Sequence, residues 1–198
     1  TLDRSSAASD VYKRQIPAGW FAGSATLDLQ KMLQKVIEHV AQSCGAENLI
    51  FQGSSAGGFA AMQYSISFPG SLSVAINPQT NLSNHYPERV QPYLDACWGG
   101  SLPDQTTAVT DLIHAYSKAF DNFILYVQNE HDTFHLENHF HQWDRSFGDL
   151  RGERWNLLSG DWGTGHAAPP PFFQAAILEY ALTFDGNWED FLQSEDFG

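Results

Sequence analysis

The amino-acid sequence predicts an α/β fold in which a mostly parallel sheet is flanked by helices. Two observations carry this expectation. Segments with helical spacing alternate with short apolar runs between Thr26 and Tyr180, the order that parallel strands joined by crossover helices require. One run, Asn122 to Val127, is apolar at every position after its first, which suits a strand in the middle of a sheet and not one at its surface. A length of 198 residues with 42% hydrophobic content fits one domain with a sizeable core.

Taken in order, Leu29, Met32, Leu33, Val36, Ile37 and Val40 recur at three- and four-residue spacing, with Thr26 as the expected N-cap, Asp28 in the first turn and Gly45 as the stop. Glu47 to Phe51 reads as a strand through Leu49, Ile50 and Phe51, and Ala56 to Phe68 as a buried helix ending at Pro69 and Gly70. Leu72, Val74 and Ile76 mark a second strand that ends at Asn77 and Pro78. Residues 79 to 120 are polar and proline-punctuated, with one expected helix carrying Val109, Leu112, Ile113 and Tyr116. This stretch is too long for a simple connection. It reads as a lid-like helical insertion over the carboxyl edge of the sheet.

After the central strand, Leu136, Phe140, Trp143 and Phe147 define one face of a helix, and Arg154 to Leu158 a fourth strand. A loop from Ser159 to Pro170 leads through Pro169, Pro170 and Pro171 into a last core helix with Phe173, Ala176, Ile177 and Tyr180. The acidic tail offers Trp188, Phe191 and Leu192 as a small docking face.

Charge narrows the function classes. Ten basic residues stand against 23 acidic ones, a formal net charge of -13, so a nucleic-acid backbone or an anionic bilayer surface is repelled. No run approaches the length of a membrane span. Cys44 and Cys97 offer neither a disulfide framework nor metal spacing.

The chemistry is concentrated at Gly53-Ser54-Ser55-Ala56-Gly57-Gly58, between the first strand and the helix after it. Glycines two residues before and after Ser55 let strand and helix approach through a tight turn, while Ser54 would put Gln52 where a glycine is needed. A serine there shares the free N–H of Ala56 and the positive end of the helix dipole with a developing oxyanion. The alternative is an ordinary turn serine. Asp132 and His166 also follow strand ends, where sites form in parallel sheets.

The glycine-flanked Ser55, followed by Asp132 and His166 in that chain order, resembles the α/β-hydrolase superfamily over residues 26 to 184. The resemblance implies a serine hydrolase acting on a carboxylic ester, small-molecule or glycan, without metal or organic cofactor. Ser55 would be acylated, His166 would act as general base, Asp132 would orient it, and Ala56 would serve the oxyanion hole. Glu130 is the second choice of acid, and Asp132 as a plain helix N-cap and His166 as a loop histidine remain alternatives. Transfer of the acyl group to an alcohol such as a sugar hydroxyl uses the same first half-reaction. A non-catalytic binding protein on the same fold is the rival from another class.

His131, His135 and His139, with Glu137, have the spacing of a zinc site on a helix. Against it, the apolar face runs through Leu136, Phe140 and Trp143, which puts His135 and His139 on a solvated or loop-contacting face. Trp98 and Trp162 are candidate stacking platforms for a sugar or an aromatic acyl group, or else buried aromatics.

Residues 5 to 15 resemble the translation of a transposase adapter used in sequencing libraries, the alternative being a basic natural arm. On the first reading residues 1 to 15 are an artefact, and the partial domain of residues 16 to 198 is the C-terminal half of an α/β-hydrolase fold. The second oxyanion donor would then be missing, and residues 1 to 198 alone would be poorly soluble and nearly inactive.

Overall fold

The structure is a computed structural model that describes residues 19–118 and 120–194. The expectations for residues 1 to 15 lie outside the described residues. Helix α1 (Leu29–Cys44) leads into β1 (Ile50–Ser54), α2 (Ala56–Ser65) and β2 (Leu72–Ile76). The insertion then contributes a 3₁₀ turn (Leu82–Asn84), α3 (Pro87–Cys97) and α4 (Leu112–Tyr116). Strand β3 (Phe123–Asn129) is followed by α5 (Thr133–His135), a π-helical turn (Leu136–Phe140) and α6 (His141–Phe147). Strand β4 (Trp155–Gly160), α7 (Pro171–Leu182) and α8 (Trp188–Gln193) complete the described chain.

The four strands pair in parallel in the order β1-β2-β3-β4. Side chains alternate between two cores because successive residues of a strand face opposite ways. Ala75, Ile124 and Tyr126 join Phe59, Met62, Trp143 and Trp155 on one face. Leu72, Val74, Ile76, Leu125 and Val127 join Ile177, Trp188, Phe191 and Leu192 on the other. The acidic tail therefore docks as α8, with Trp188, Phe191 and Leu192 all buried. Both cores press on β2 and β3, which holds the carboxyl ends of those strands in place for the loops that follow.

Three local expectations are corrected. The N-cap of α1 is Asp28, whose carboxylate accepts the N–H of Lys31 at 3.0 Å, whereas the Thr26 hydroxyl sits 3.3 Å from that of Ser24. Strand β1 runs on through Gly53 and Ser54, because parallel pairing with β2 continues to Ser54 opposite Ile76. The insertion holds a second full helix, α3, in the stretch read as proline-broken. Pro87 occupies the first helical position, where a missing N–H costs nothing, and the one interior proline, Pro92, is tolerated with Val90, Tyr93 and Leu94 buried. Among the described residues no helix is long and apolar enough to cross a membrane.

Candidate active site

Ser55 forms the apex of a strand-to-helix turn with φ 56°. Its N–H bonds to Ile76 O at 2.8 Å, so β2 pins the turn from beside it. Gly53 is required by contact: a Cβ there would lie 2.1 Å from the carbonyl oxygen of Gly57. Gly53→Ala is accordingly expected to displace the turn, lowering the melting temperature by several degrees and abolishing function; a variant with unchanged melting and unchanged function would contradict the contact. Ala56 is the first residue of α2, and its N–H has no carbonyl partner among the described residues.

Asp132 caps α5, accepting the His135 N–H at 3.3 Å, and its carboxylate is 3% exposed. The capping and orienting readings are thus compatible. Oδ2 lies 2.5 Å from Nδ1 of His166, and Oδ1 lies 3.0 Å from Nδ1 of His135. One carboxylate holds two imidazoles, which stack on each other with centroids 3.9 Å apart. Burial alone would raise the Asp132 pKa, but the hydrogen bonds from His135 and His166 outweigh it and hold the carboxyl well below the usual range. Glu130 is exposed, and its carboxylate accepts the Ser159 hydroxyl at 3.3 Å and reaches neither histidine among the described residues.

The His166 loop is clamped from below. Asn129, at the end of β3, donates to the carbonyls of Gly163 and Gly165 at 2.8 and 2.7 Å. Asn77, just past β2, donates to Ala167 O at 2.8 Å and accepts the Asn129 N–H at 2.7 Å. Both asparagines are buried, and Gly163 and Gly165 supply the positive φ that the loop needs. With Nδ1 directed to Asp132, the His166 ring has Nε2 left for the cleft.

Ser55, Asp132 and His166 line one cleft of about 550 Å³, walled on the insertion side by Tyr86, Glu88 and Arg89. Tyr86 stacks on Phe134 at 3.7 Å to form an aromatic wall. Trp98 and Trp162 are not among the lining residues. Trp98 donates to the Tyr93 hydroxyl at 2.7 Å, and Trp162 packs near Phe173. Both are half-buried against other side chains of the protein, away from this cleft. Among the described residues the hydrogen-bond partner of the Ser55 hydroxyl is not His166 but Gln79, whose Nε2 is 3.0 Å from Oγ.

The histidines of the α5–α6 segment need a correction. His135 and His139 are not solvated: they are 2% and 0% exposed. An α-helix turns about 100° per residue, but the wider π turn at Leu136–Phe140 turns less. That lag brings His135 and His139 into phase with Trp143 and Phe147, so all four point inward. The four residues that have zinc-site spacing are not brought together, since His131 is exposed beside Asp161 and Glu137 is exposed. His85, His135 and His139 instead bring ring nitrogens within 4.8 Å of one another. Donors already aim at lone pairs of two of them. The Thr80 N–H points at His139 Nδ1 from 3.2 Å, and the Gln79 amide at His135 Nε2 from 2.8 Å. A ring nitrogen that accepts a hydrogen bond leaves the proton on the other, so His139 carries its hydrogen on Nε2 and is a poor ligand there.

His135, Gln79, Trp20 and the two asparagines were not legible as site residues. A local spacing that could have pointed to His135 is Asp132-x-x-His135, which puts an imidazole over its own N-cap.

No family model matches the chain, and no curated protein does. Solved structures do. A capsule O-acetyltransferase of Neisseria meningitidis serogroup A is 15% identical with TM-score 0.53, over 89% of this chain and 68% of that one. An S-formylglutathione hydrolase from Agrobacterium tumefaciens is 18% identical with TM-score 0.54, over 91% of this chain and 64% of that one. The fold is of the α/β-hydrolase type.

Proposed function

We propose that this chain, with its α/β-hydrolase type of fold, is a serine hydrolase of carboxylic esters in which Ser55 is acylated, His166 is the general base and Asp132 orients it. The observation that carries the reading is the meeting in one cleft of a serine at a left-handed strand-to-helix apex with an imidazole whose far nitrogen is 2.5 Å from a buried carboxylate. In acylation the Ser55 O–H bond breaks, its proton passes to His166 Nε2, and Oγ bonds to the ester carbonyl carbon. The carbonyl pair moves to oxygen, where the Ala56 N–H receives it. Collapse re-forms the carbonyl, and the leaving alcohol takes the proton from His166. Water then attacks the acyl-enzyme by the reverse sequence.

Ser55 is buried enough to be oriented and open enough to be reached, so a serine-directed phosphonate should label it. Labelling that persists in Ser55→Ala, or maps to Ser54, overturns the assignment. Acyl transfer to an alcohol is the second reading, favoured by the likeness to a capsule O-acetyltransferase. Product analysis with water and a sugar alcohol in competition separates the two: net ester formation on the sugar selects transfer.

A further inference from the structure

We propose that Gln79 is a catalytic residue, donating a side-chain N–H to Ser55 Oγ as negative charge gathers there; the proposal rests on Ser55 being the residue acylated. Gln79 comes from the loop after β2 and is 1% exposed. Its amide has one orientation. The indole N–H of Trp20 can only donate, and it meets Oε1 at 2.9 Å, so the NH₂ group faces the other way. One hydrogen of that NH₂ goes to Ser55 Oγ at 3.0 Å and the other to His135 Nε2 at 2.8 Å. An acceptor role at Nε2 places the His135 hydrogen on Nδ1, where it meets Asp132 Oδ1 at 3.0 Å.

Asp132 thus has two arms. One ends at His166, the group suited to take the Ser55 proton. The other runs through His135, a positioning residue, to an N–H aimed at the same oxygen. All the donors and acceptors in this chain are matched, which leaves the Ser55 hydroxyl hydrogen free for His166.

Such a donor is worth more to the transition state than to the ground state. A hydrogen bond to a charged acceptor is roughly twice as strong as one to a neutral hydroxyl, and only interactions that strengthen on the way to the transition state raise the rate. In acylation, charge gathers on Oγ as its proton leaves for His166 and the bond to carbon forms. In deacylation, the Oγ–carbon bond breaks, its electron pair returns to Oγ, and His166 hands back the proton. The Gln79 protons are transferred in neither step. Both half-reactions should therefore depend on Gln79.

The test compares the wild type with Gln79→Met and Gln79→Glu, which keep side-chain length but remove the donor. Acylation is read from the single-turnover burst of an aryl ester. Deacylation is read from the decay of the acyl-enzyme with hydroxylamine as acceptor, so that neither water nor a particular alcohol is presupposed. Both rate constants, measured well below the melting transition of each variant, should fall by about 10²-fold or more. If acylation falls and deacylation does not, Gln79 only sets the serine rotamer, because in the acyl-enzyme Oγ is already tethered, and the proposal is overturned. Unchanged rates overturn it as well. Should both Gln79 variants unfold, Trp20→Phe removes the N–H that fixes the amide, along with part of a buried ring, and should slow both steps; unchanged rates there count against the proposal. Turnover and labelling that survive in Ser55→Ala would instead sink the nucleophile assignment, a distinguishable result.

Discussion

Asp132→Asn is expected to lower turnover of an aryl ester by about 10³ to 10⁴-fold, the size of loss seen when a serine triad loses its carboxylate and its histidine takes the wrong tautomer. The effect should be large here because the carboxylate serves two imidazoles at once, at 2.5 and 3.0 Å. An amide has a single accepting oxygen. Whichever imidazole keeps it, the other faces an NH₂ group and must either flip its tautomer or leave a buried donor opposite a donor. An unmatched buried group of this kind costs about 1–3 kcal/mol, so the variant should also melt lower. Glu130→Gln is the comparison, and because Glu130 is exposed it should remain close to wild type. Steady-state kinetics with thermal melts check both. A loss smaller than tenfold in Asp132→Asn, or a larger one in Glu130→Gln, would move the acid to the wrong residue.

Stability should fall steeply below neutral pH. Burial, with neighbouring imidazoles second, lowers the pKa of His85 to about 4 and of His139 to about 3, with Arg89 adding to the shift at His85. The unfolded chain titrates these groups near 6.5. Above that pH both states bind no proton on them, and their contribution is complete. Between about 6.5 and 4 the unfolded state takes up protons that the folded state refuses, so stability is lost as pH falls, with a slope approaching 1.4 kcal/mol per pH unit for each histidine. By pH 5 this amounts to about 2–4 kcal/mol. Asp132 adds to it only below its unfolded pKa of 3.8, since its folded value is depressed. Denaturant unfolding from pH 7.5 to 5 reads the slope directly. His139→Gln, which cannot titrate, should remove about one proton's worth of it; an unaltered slope would mean that His139 is protonated in the folded state.

Much of the fold was legible because its signals are local. The β2 bounds, the C-cap at Gly45, the apolar run of β3 and the glycine-serine turn each lie within a few residues of the chain. Ser55, Asp132 and His166 share that property, each lying just past a strand end. The second arm of the site does not. Trp20, Gln79 and His135 reach one another across 59 and 56 positions, and nothing in their immediate neighbours announces the contact. His135 and His139 were misread for a different reason. A helical wheel drawn at one constant angle cannot represent a segment that changes its own pitch, and the π turn at Leu136–Phe140 does so between the two histidines.

That turn also makes the site sensitive to chain length and not only to residue identity. A π turn accommodates about one residue more than the α-helical turn it replaces. Losing a single residue within Leu136–Phe140 would be absorbed by relaxation to ordinary α pitch, which leaves His135 and Trp143 in phase. Gaining one, with no second π turn to take it up, would rotate His135 by about a quarter turn relative to the anchored Trp143. Asp132 would keep its cap and His166 its loop, yet the imidazole joining Asp132 to Gln79 would swing away. A one-codon insertion remote from the nucleophile would thus resemble a point mutation in the site, while substitutions at the exposed Glu137 would pass unnoticed. Selection on this segment would act on a gain in the count of residues as strictly as on their kind.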